Sequence, residues 1–186
     1  MPPARRYVAL LRGINVGGRN KVPMADLRRT FEDGGYGAVR TYIQSGNVLF
    51  ESAAARRSLE DDIERLLEAR FKTPLVVVVR SRDQYRDVVG HAPKGFGEEP
   101  DTYHSDVIFL RAPLTAKQAM QVVSLRDGVD QVWPGRGVLY FARVSAARSK
   151  SRLSTIVGTP EYQRMTIRSW TTTTKLLALL DEASDA

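Results

Sequence analysis

The order of predicted strands and helices indicates an α+β fold of two related halves with antiparallel sheets, followed by a C-terminal helix. Three observations support this prediction. Apolar residues alternate in some short segments and recur at helical spacing in others. Turn residues such as Gly, Pro and Asn separate these segments. Each half gives the order β-α-β-β-α-β, which is typical of ferredoxin-like proteins.

The first half, residues 1–80, opens with a strand and a helix. The unbroken apolar run over 7–11 predicts a buried strand, and the glycine-rich stretch 13–18 ends it. Pro23 suits the first residue of a helix, and Leu27 and Phe31 follow at helical spacing.

A hairpin, a long helix and a last strand complete this half. Alternation over 39–43, turn residues at 45–47 and an apolar run over 48–50 predict the hairpin. An apolar stripe along 54–71 predicts the helix, and β-branched residues over 75–79 predict the strand. Right-handed crossovers would place both helices on one face of a four-stranded antiparallel sheet.

Residues 81–103 are predicted as a linker, with a short helix over 83–89 followed by Gly- and Pro-rich sequence. Residues 104–186 are predicted as the second half. Its elements follow from the same patterns: strands over 106–110, 129–133, 138–142 and 164–167, helices over 115–125 and 149–157, and a terminal helix that carries Leu176, Leu177, Leu179 and Leu180.

Composition excludes several kinds of site. The chain of 186 residues has no Cys and two His, so disulfides, thiolate nucleophiles and Cys- or His-rich metal sites are excluded. We predict no cofactor and no metal site. No apolar stretch approaches 18 residues and no signal-peptide core is present, so we expect a soluble cytoplasmic protein without a membrane partner.

Positive charge is concentrated in two segments. The net charge is +7; residues 1–29 hold seven basic residues and one acidic, and residues 136–175 hold eight basic and one acidic. The excess could be solvated surface arginine. It could also form one basic surface that attracts phosphate ligands or nucleic acid, if the two segments meet.

The loop after the first strand resembles a phosphate-binding loop only in part. Gly13 and Gly18 have the spacing of that motif, but Arg19-Asn20 follows where Lys and Ser or Thr are required. The glycines could serve backbone geometry alone. Alternatively, backbone N–H groups could hold an anion with Arg12, Arg19 and Lys21.

Two further polar segments allow both a structural and a ligand-binding interpretation. The Ser45-Gly46-Asn47 turn suits a tight hairpin or could face a ligand. The Thr-rich segment 166–175 could cap the last helix, with Trp170 as a packing anchor, or could hold an anion at the helix start. A third strip, Ser145–Arg152, interleaves hydroxyls with cations and could be a plain loop or a phosphate contact.

Two strings identify a family. The segment from Tyr7 to Phe50, with RGINVGG and TYIQSGNV, closely resembles the start of a bacterial family known as domain of unknown function 1697. The closing pattern T-x-R-x-W-x-T followed by K-L is similar too, although the family more often has Asn where Ser169 and Thr171 stand. The resemblance covers nearly the whole chain. It implies a two-part α+β fold and no established activity.

The predicted function is binding of a phosphate-bearing small molecule or nucleic acid on a basic patch. The alternatives are a small metal-independent enzyme, which lacks an obvious acid or base, and an interaction protein without a pocket. We predict that loop, turn and Thr-rich segment converge, with Arg12, Asn15, Asn47 and Arg168 as the main contacts. The complete predicted site is Arg12, Gly13, Asn15, Gly17, Gly18, Arg19, Ser45, Asn47, Arg168, Trp170, Thr172 and Lys175.

Overall fold

The computed structural model of the protein describes residues 2–182, and its elements follow an α+β order. The strands are β1 (Arg5–Leu11), β2 (Gly37–Tyr42), β3 (Asn47–Ser52), β4 (Val77–Ser81), β5 (Tyr103–Leu110), β6 (Asp130–Gly135), β7 (Val138–Val144) and β8 (Met165–Ser169). The helices are α1 (Met24–Asp33), α2 (Arg56–Phe71), α3 (Arg82–Gly90), α4 (Ala116–Val122) and α5 (Trp170–Asp181). The predicted class, with two four-stranded antiparallel sheets and a C-terminal helix, is confirmed.

The chain divides into two compact units. The first unit contains the residues up to Arg86 and the segment that starts at Leu176, and the second runs from Asp87 to Lys175. The chain therefore passes between units within α3 and again within α5. The division into a first half at 1–80, a linker at 81–103 and a second half at 104–186 stays a prediction.

The first unit contains a sheet with the order β2-β3-β1-β4, in which all neighbours are antiparallel. Alternate residues of β1, including Tyr7 and Ala9, share one hydrophobic core with Leu27 of α1 and Ile63 of α2. Both helices therefore cover the same sheet face, as the crossover rule predicts.

Helix α2 also closes the outer edge of that sheet. Among the described residues, strand β4 pairs only with β1, which leaves N–H groups on its other side. The Val77 N–H donates to Glu64 Oε1 at 2.9 Å, and the Val79 N–H donates to Glu60 Oε1 at 2.9 Å. Glu60 and Glu64 lie one turn apart on α2, so their carboxylates reach alternate positions of the strand.

The second unit repeats the sheet order as β6-β7-β5-β8, again fully antiparallel. The helix predicted over 149–157 is absent there. Three 3₁₀ segments, Ser145–Lys150, Leu153–Gly158 and Pro160–Arg164, connect β7 to β8, and Leu153 and Ile156 pack into the core. Ser and Thr side chains compete for backbone hydrogen bonds in this stretch, which disfavours a continuous α-helix.

Aromatic side chains hold part of the predicted linker within the second unit. Phe96 is buried, and its ring meets those of Trp133, Tyr140 and Trp170 edge-on at 5.1–6.0 Å. Within residues 2–182, no helix combines the length and apolar character needed to cross a membrane.

Candidate functional site

The loop between β1 and α1 ends in a tight hairpin tip. The Arg19 N–H donates to the Val16 carbonyl at 3.0 Å, and the two central residues, Gly17 and Gly18, have φ of 57° and 74°. Both angles are positive, as a type I′ turn requires and as glycine adopts without strain. The tip is solvent-exposed: Val16 keeps 66% of its accessible surface.

Asn15 fastens this loop to its surroundings. Its Nδ2 donates to the carbonyls of Val22 at 3.0 Å and Gln44 at 2.9 Å, while its Oδ1 accepts from the Val22 N–H at 2.8 Å. The side-chain amide therefore uses both N–H donors and an oxygen lone pair internally. Asn15, which the sequence predicts as a ligand contact, therefore braces the loop.

The Ser45-Gly46-Asn47 turn lies directly against the loop. The Gly46 carbonyl accepts from the Leu11 N–H at 2.9 Å, and a Cβ at Gly46 would lie 2.6 Å from Ile14 Cδ1. Asn47 is 0% exposed, and its Nδ2 donates to the Tyr42 carbonyl and Ser45 Oγ at 2.9 and 3.0 Å. The loop and the turn thus lie together. The contacts of Gly46 and Asn47 fix the backbone of the turn.

The exposed part of the loop retains groups suited to an anion. Gly17, Gly18, Arg19 and Lys21 are all exposed. Among the described residues, the N–H groups of Gly17 and Gly18 have no protein acceptor. Arg12 is half-buried at the start of the loop, and its backbone N–H donates to the Val76 carbonyl at 2.9 Å. Adjacent N–H groups in a turn can bind an anion.

The Thr-rich segment belongs to the second unit. Helix α5 begins at Trp170, before the Thr run, and Ser169 Oγ accepts from the Thr172 N–H at 3.2 Å, as an N-cap does. The Thr173 and Thr174 hydroxyls donate to backbone carbonyls one turn earlier. The Thr run is therefore the first turn of the helix, and its approach to the loop stays a prediction.

Arg168 and Trp170 are held inside the second unit, whereas Lys175 is exposed. Arg168 is 6% exposed, and its Nη1 donates to Thr166 Oγ1 at 2.8 Å and to the Ile167 carbonyl at 2.9 Å. The Trp170 ring lies over Gly97, where an added Cβ would come within 2.0 Å of Trp170 Cδ1. These contacts support the interpretation of Trp170 as a packing anchor.

A titratable cluster lies in the second unit, around Asp106 of β5. His104 Nε2 lies 3.2 Å from Asp106 Oδ1, and Arg143 Nη2 lies 3.5 Å from Asp106 Oδ2. Burial raises the pKa of Asp106, against the opposing charges of His104, Arg143 and Arg148. Within residues 2–182, no group of three His, Asp or Glu side chains is arranged to hold a metal ion. The enzyme alternative keeps the status of a hypothesis.

Sequence reasoning also missed a cleft of about 660 Å³ in the first unit. We call it the arginine cleft. Residues of strands β2 and β3 form one side of it, and the end of α5 forms the other. Its signal in the sequence is faint: Asp181 and Glu182 follow a Leu-rich helix, while the N-terminal segment is basic. Its lining residues are Arg6, Arg28, Ala38, Val39, Arg40, Leu49, Phe50, Glu51, Leu179, Leu180 and Glu182.

Fold and sites together define an α+β protein with two sheets of ferredoxin-like order and exposed basic groups. The chain belongs to the family described as protein of unknown function, DUF1697, whose model matches residues 4–140. Comparison with curated proteins gives no match. Among solved structures, the conserved bacterial protein SP0830 from Streptococcus pneumoniae is similar, with 27% identity and a TM-score of 0.85. The match covers 96% of this chain and 100% of that one.

Proposed function

We propose that the protein binds a phosphate-bearing ligand, a nucleotide or a nucleic acid, at the tip of the loop between β1 and α1. The observation that carries this proposal is the pair of exposed N–H groups at Gly17 and Gly18, which lack a protein acceptor within residues 2–182. Arg19 and Lys21 flank them and are exposed. Backbone N–H groups and nearby cations are the usual partners of phosphate oxygens.

The bracing contacts support the same site. Because Asn15 ties the loop to Val22 and Gln44, the base of the loop is braced before a ligand arrives. A preformed site avoids part of the entropy cost of ordering a loop upon binding.

The test is a titration with inorganic phosphate, ATP and a single-stranded oligonucleotide, followed by NMR of the backbone amides. We expect the Gly17 and Gly18 amide signals to shift. We expect the double variant Arg19→Gln/Lys21→Gln to weaken binding about tenfold or more, because two charge-assisted contacts are lost. Oligonucleotide affinity should fall with salt, less steeply for the variant.

The matched control is Arg57→Gln/Arg65→Gln, which removes two exposed charges from α2 of the same unit. This control should bind like the unmodified protein. Equal loss of affinity in both double variants would assign binding to net charge and reject the loop as the site. Unshifted Gly17 and Gly18 signals at saturation would reject it as well. A response to ATP alone or to the oligonucleotide alone would identify the source of the phosphate.

A further inference from the structure

The arginine cleft combines apolar side chains with a rim of arginines and glutamates. Val39, Leu49, Phe50 and Leu180 are buried along its lining, and Leu179 is half-buried. Arg28 and Arg40 stand exposed at the rim. The walls are polar and apolar in nearly equal parts, and a volume of about 660 Å³ lies within the size range of small-molecule sites.

The three arginines of the cleft are not equivalent. Arg6 is committed to the fold: its Nη1 donates to the carbonyls of Leu180 at 3.1 Å and Glu182 at 2.6 Å, and its Nε lies 3.5 Å from Glu51 Oε1. These contacts hold the C-terminal end of α5, where carbonyls lack helical partners.

Among the residues that the structure describes, Arg28 and Arg40 make only exposed ion pairs. Arg40 Nη1 lies 2.9 Å from Glu182 Oε2, and the two side chains are 52% and 50% exposed. Arg28 Nε lies 2.8 Å from Glu32 Oε1, with both side chains also exposed. Exposed pairs contribute little to stability, so an incoming anion can replace either carboxylate at small cost.

The shape of β2 argues against a peptide as the occupant. This strand is the open edge of the first sheet, where an extended peptide could add as a further strand. However, the pairing register shifts between Gly37 and Arg40, and Ala38 has φ of 47°. Such an irregularity interrupts the row of backbone groups that an added strand needs.

The charges of the cleft also select the occupant. Glu51 and Glu182 stand beside the arginines and would repel a ligand with many negative charges. A single carboxylate can pair with Arg40 in a bidentate manner. An attached apolar chain would bury Leu49 and Leu179 further.

We propose that the arginine cleft binds a small amphipathic carboxylate, with one negative charge and an apolar chain. Its carboxylate takes the place of Glu182 at Arg40, with Arg28 at the rim. Its chain lies along Leu49 and Leu179. The cleft shares no residue with the loop between β1 and α1, so this proposal stands apart from phosphate binding.

The test uses octanoate as the probe, with octanol and butyrate as comparisons, in calorimetry and amide NMR. Octanoate should bind more tightly than octanol, which lacks the charge, and than butyrate, which lacks most of the chain. Burial of each additional CH₂ group contributes about a fourfold gain in affinity. Signals of residues 38–40, 49–51 and 179–182 should shift.

Three variants test how the charged residues of the cleft contribute to octanoate affinity. Arg40→Gln should weaken octanoate binding about tenfold, and Glu182→Gln should strengthen it by removing the internal competitor. Arg65→Gln, an exposed arginine of α2, should leave affinity unchanged. Melting curves check that each variant is folded. Equal binding of octanoate and octanol, unchanged affinity in Arg40→Gln, or shifts confined to other residues would overturn the proposal.

Discussion

Asp130, at the start of β6, ties together two stretches of backbone that are distant in sequence. Its Oδ2 accepts from the backbone N–H of Arg126 at 2.8 Å and of Arg152 at 2.9 Å. Burial acts to raise the pKa of Asp130, but hydrogen bonds from Arg152, Ser151 and Arg126 outweigh it and lower the pKa. One carboxylate therefore organises the basic strip after β7.

We expect Asp130→Ala to lower the free energy of unfolding by about 2–4 kcal/mol, because two charge-assisted hydrogen bonds disappear and their donors lose an acceptor. Urea denaturation measures the change. Asp127→Ala, three residues earlier and exposed, is the control and should stay within about 0.5 kcal/mol of the unmodified protein. Matching midpoints for the two variants would contradict the role given to Asp130.

For single residues, the sequence indicates which side chains are polar and where turns lie. It does not indicate which hydrogen-bond partners those side chains have. Asn15 and Asn47 are predicted ligand contacts because they lie in polar segments that are predicted to converge. Their acceptors, the carbonyls of Gln44 and Tyr42, reach them only after the loop and turn have packed together. Glycine positions were more predictable, because positive φ is a local requirement.

Helix α2 provides the largest apolar face of the first unit, and Ile63 lies in the middle of it. The side chain is 0% exposed and belongs to the core shared with β1 and α1. We expect Ile63→Asp to abolish cooperative unfolding, because a buried unpaired carboxylate costs several kcal/mol. Circular dichroism and thermal melting measure this loss.

Arg65→Asp introduces the same side chain two residues later, at an exposed position of the same helix. It should retain the native spectrum and a melting transition. An Ile63→Asp variant that melted at the temperature of the unmodified protein would remove Ile63 from the core.

Elements with strong periodicity were predictable, whereas the stretch after β7 was not. The stripe on α2 repeats over four turns, so its spacing alone identifies a helix. Between β7 and β8, the buried apolar residues are Leu153 and Ile156, three positions apart. That three-residue spacing suits an α-helix and a 3₁₀-helix equally, and the choice depends on how the segment packs on the sheet.

The stability of the whole molecule should depend on pH through three carboxyl groups that act in opposite directions. Hydrogen bonds from Arg82 and Arg86 lower the pKa of Asp181, and the pKa of Asp130 is also lowered. Burial raises the pKa of Asp106. Lowered values stabilise the fold above the unfolded pKa, about 3.9, and that stability is lost as pH falls through the folded value.

The contribution of Asp106 to stability changes with pH in the opposite direction, because its pKa is higher in the folded protein than in the unfolded chain. Its contribution is complete below about pH 4 and is lost as pH rises through the folded value. We therefore expect stability to rise with pH in the acid range, to peak in mildly acidic solution and then to decline. Urea midpoints measured across this range test the profile.

Single variants show which carboxyl group causes the rise in stability and which causes the decline. Asp106→Asn should flatten the decline above the maximum, and Asp181→Asn should reduce the slope on the acid side. Asp101→Asn, an exposed carboxyl near the start of β5, serves as the control for both. A decline that persisted unchanged in Asp106→Asn would show that another group causes it.

Helix α2 covers the free edge of β4, and this contact affects whether the protein aggregates at high concentration. With Val77 and Val79 bonded to Glu64 and Glu60, a strand from a second molecule finds those two N–H groups already occupied. Any partial unfolding that detaches α2 would remove part of the core and, in the same event, turn β4 into a template for aggregation. The same two glutamates therefore protect the edge of β4 only while α2 stays docked on the sheet.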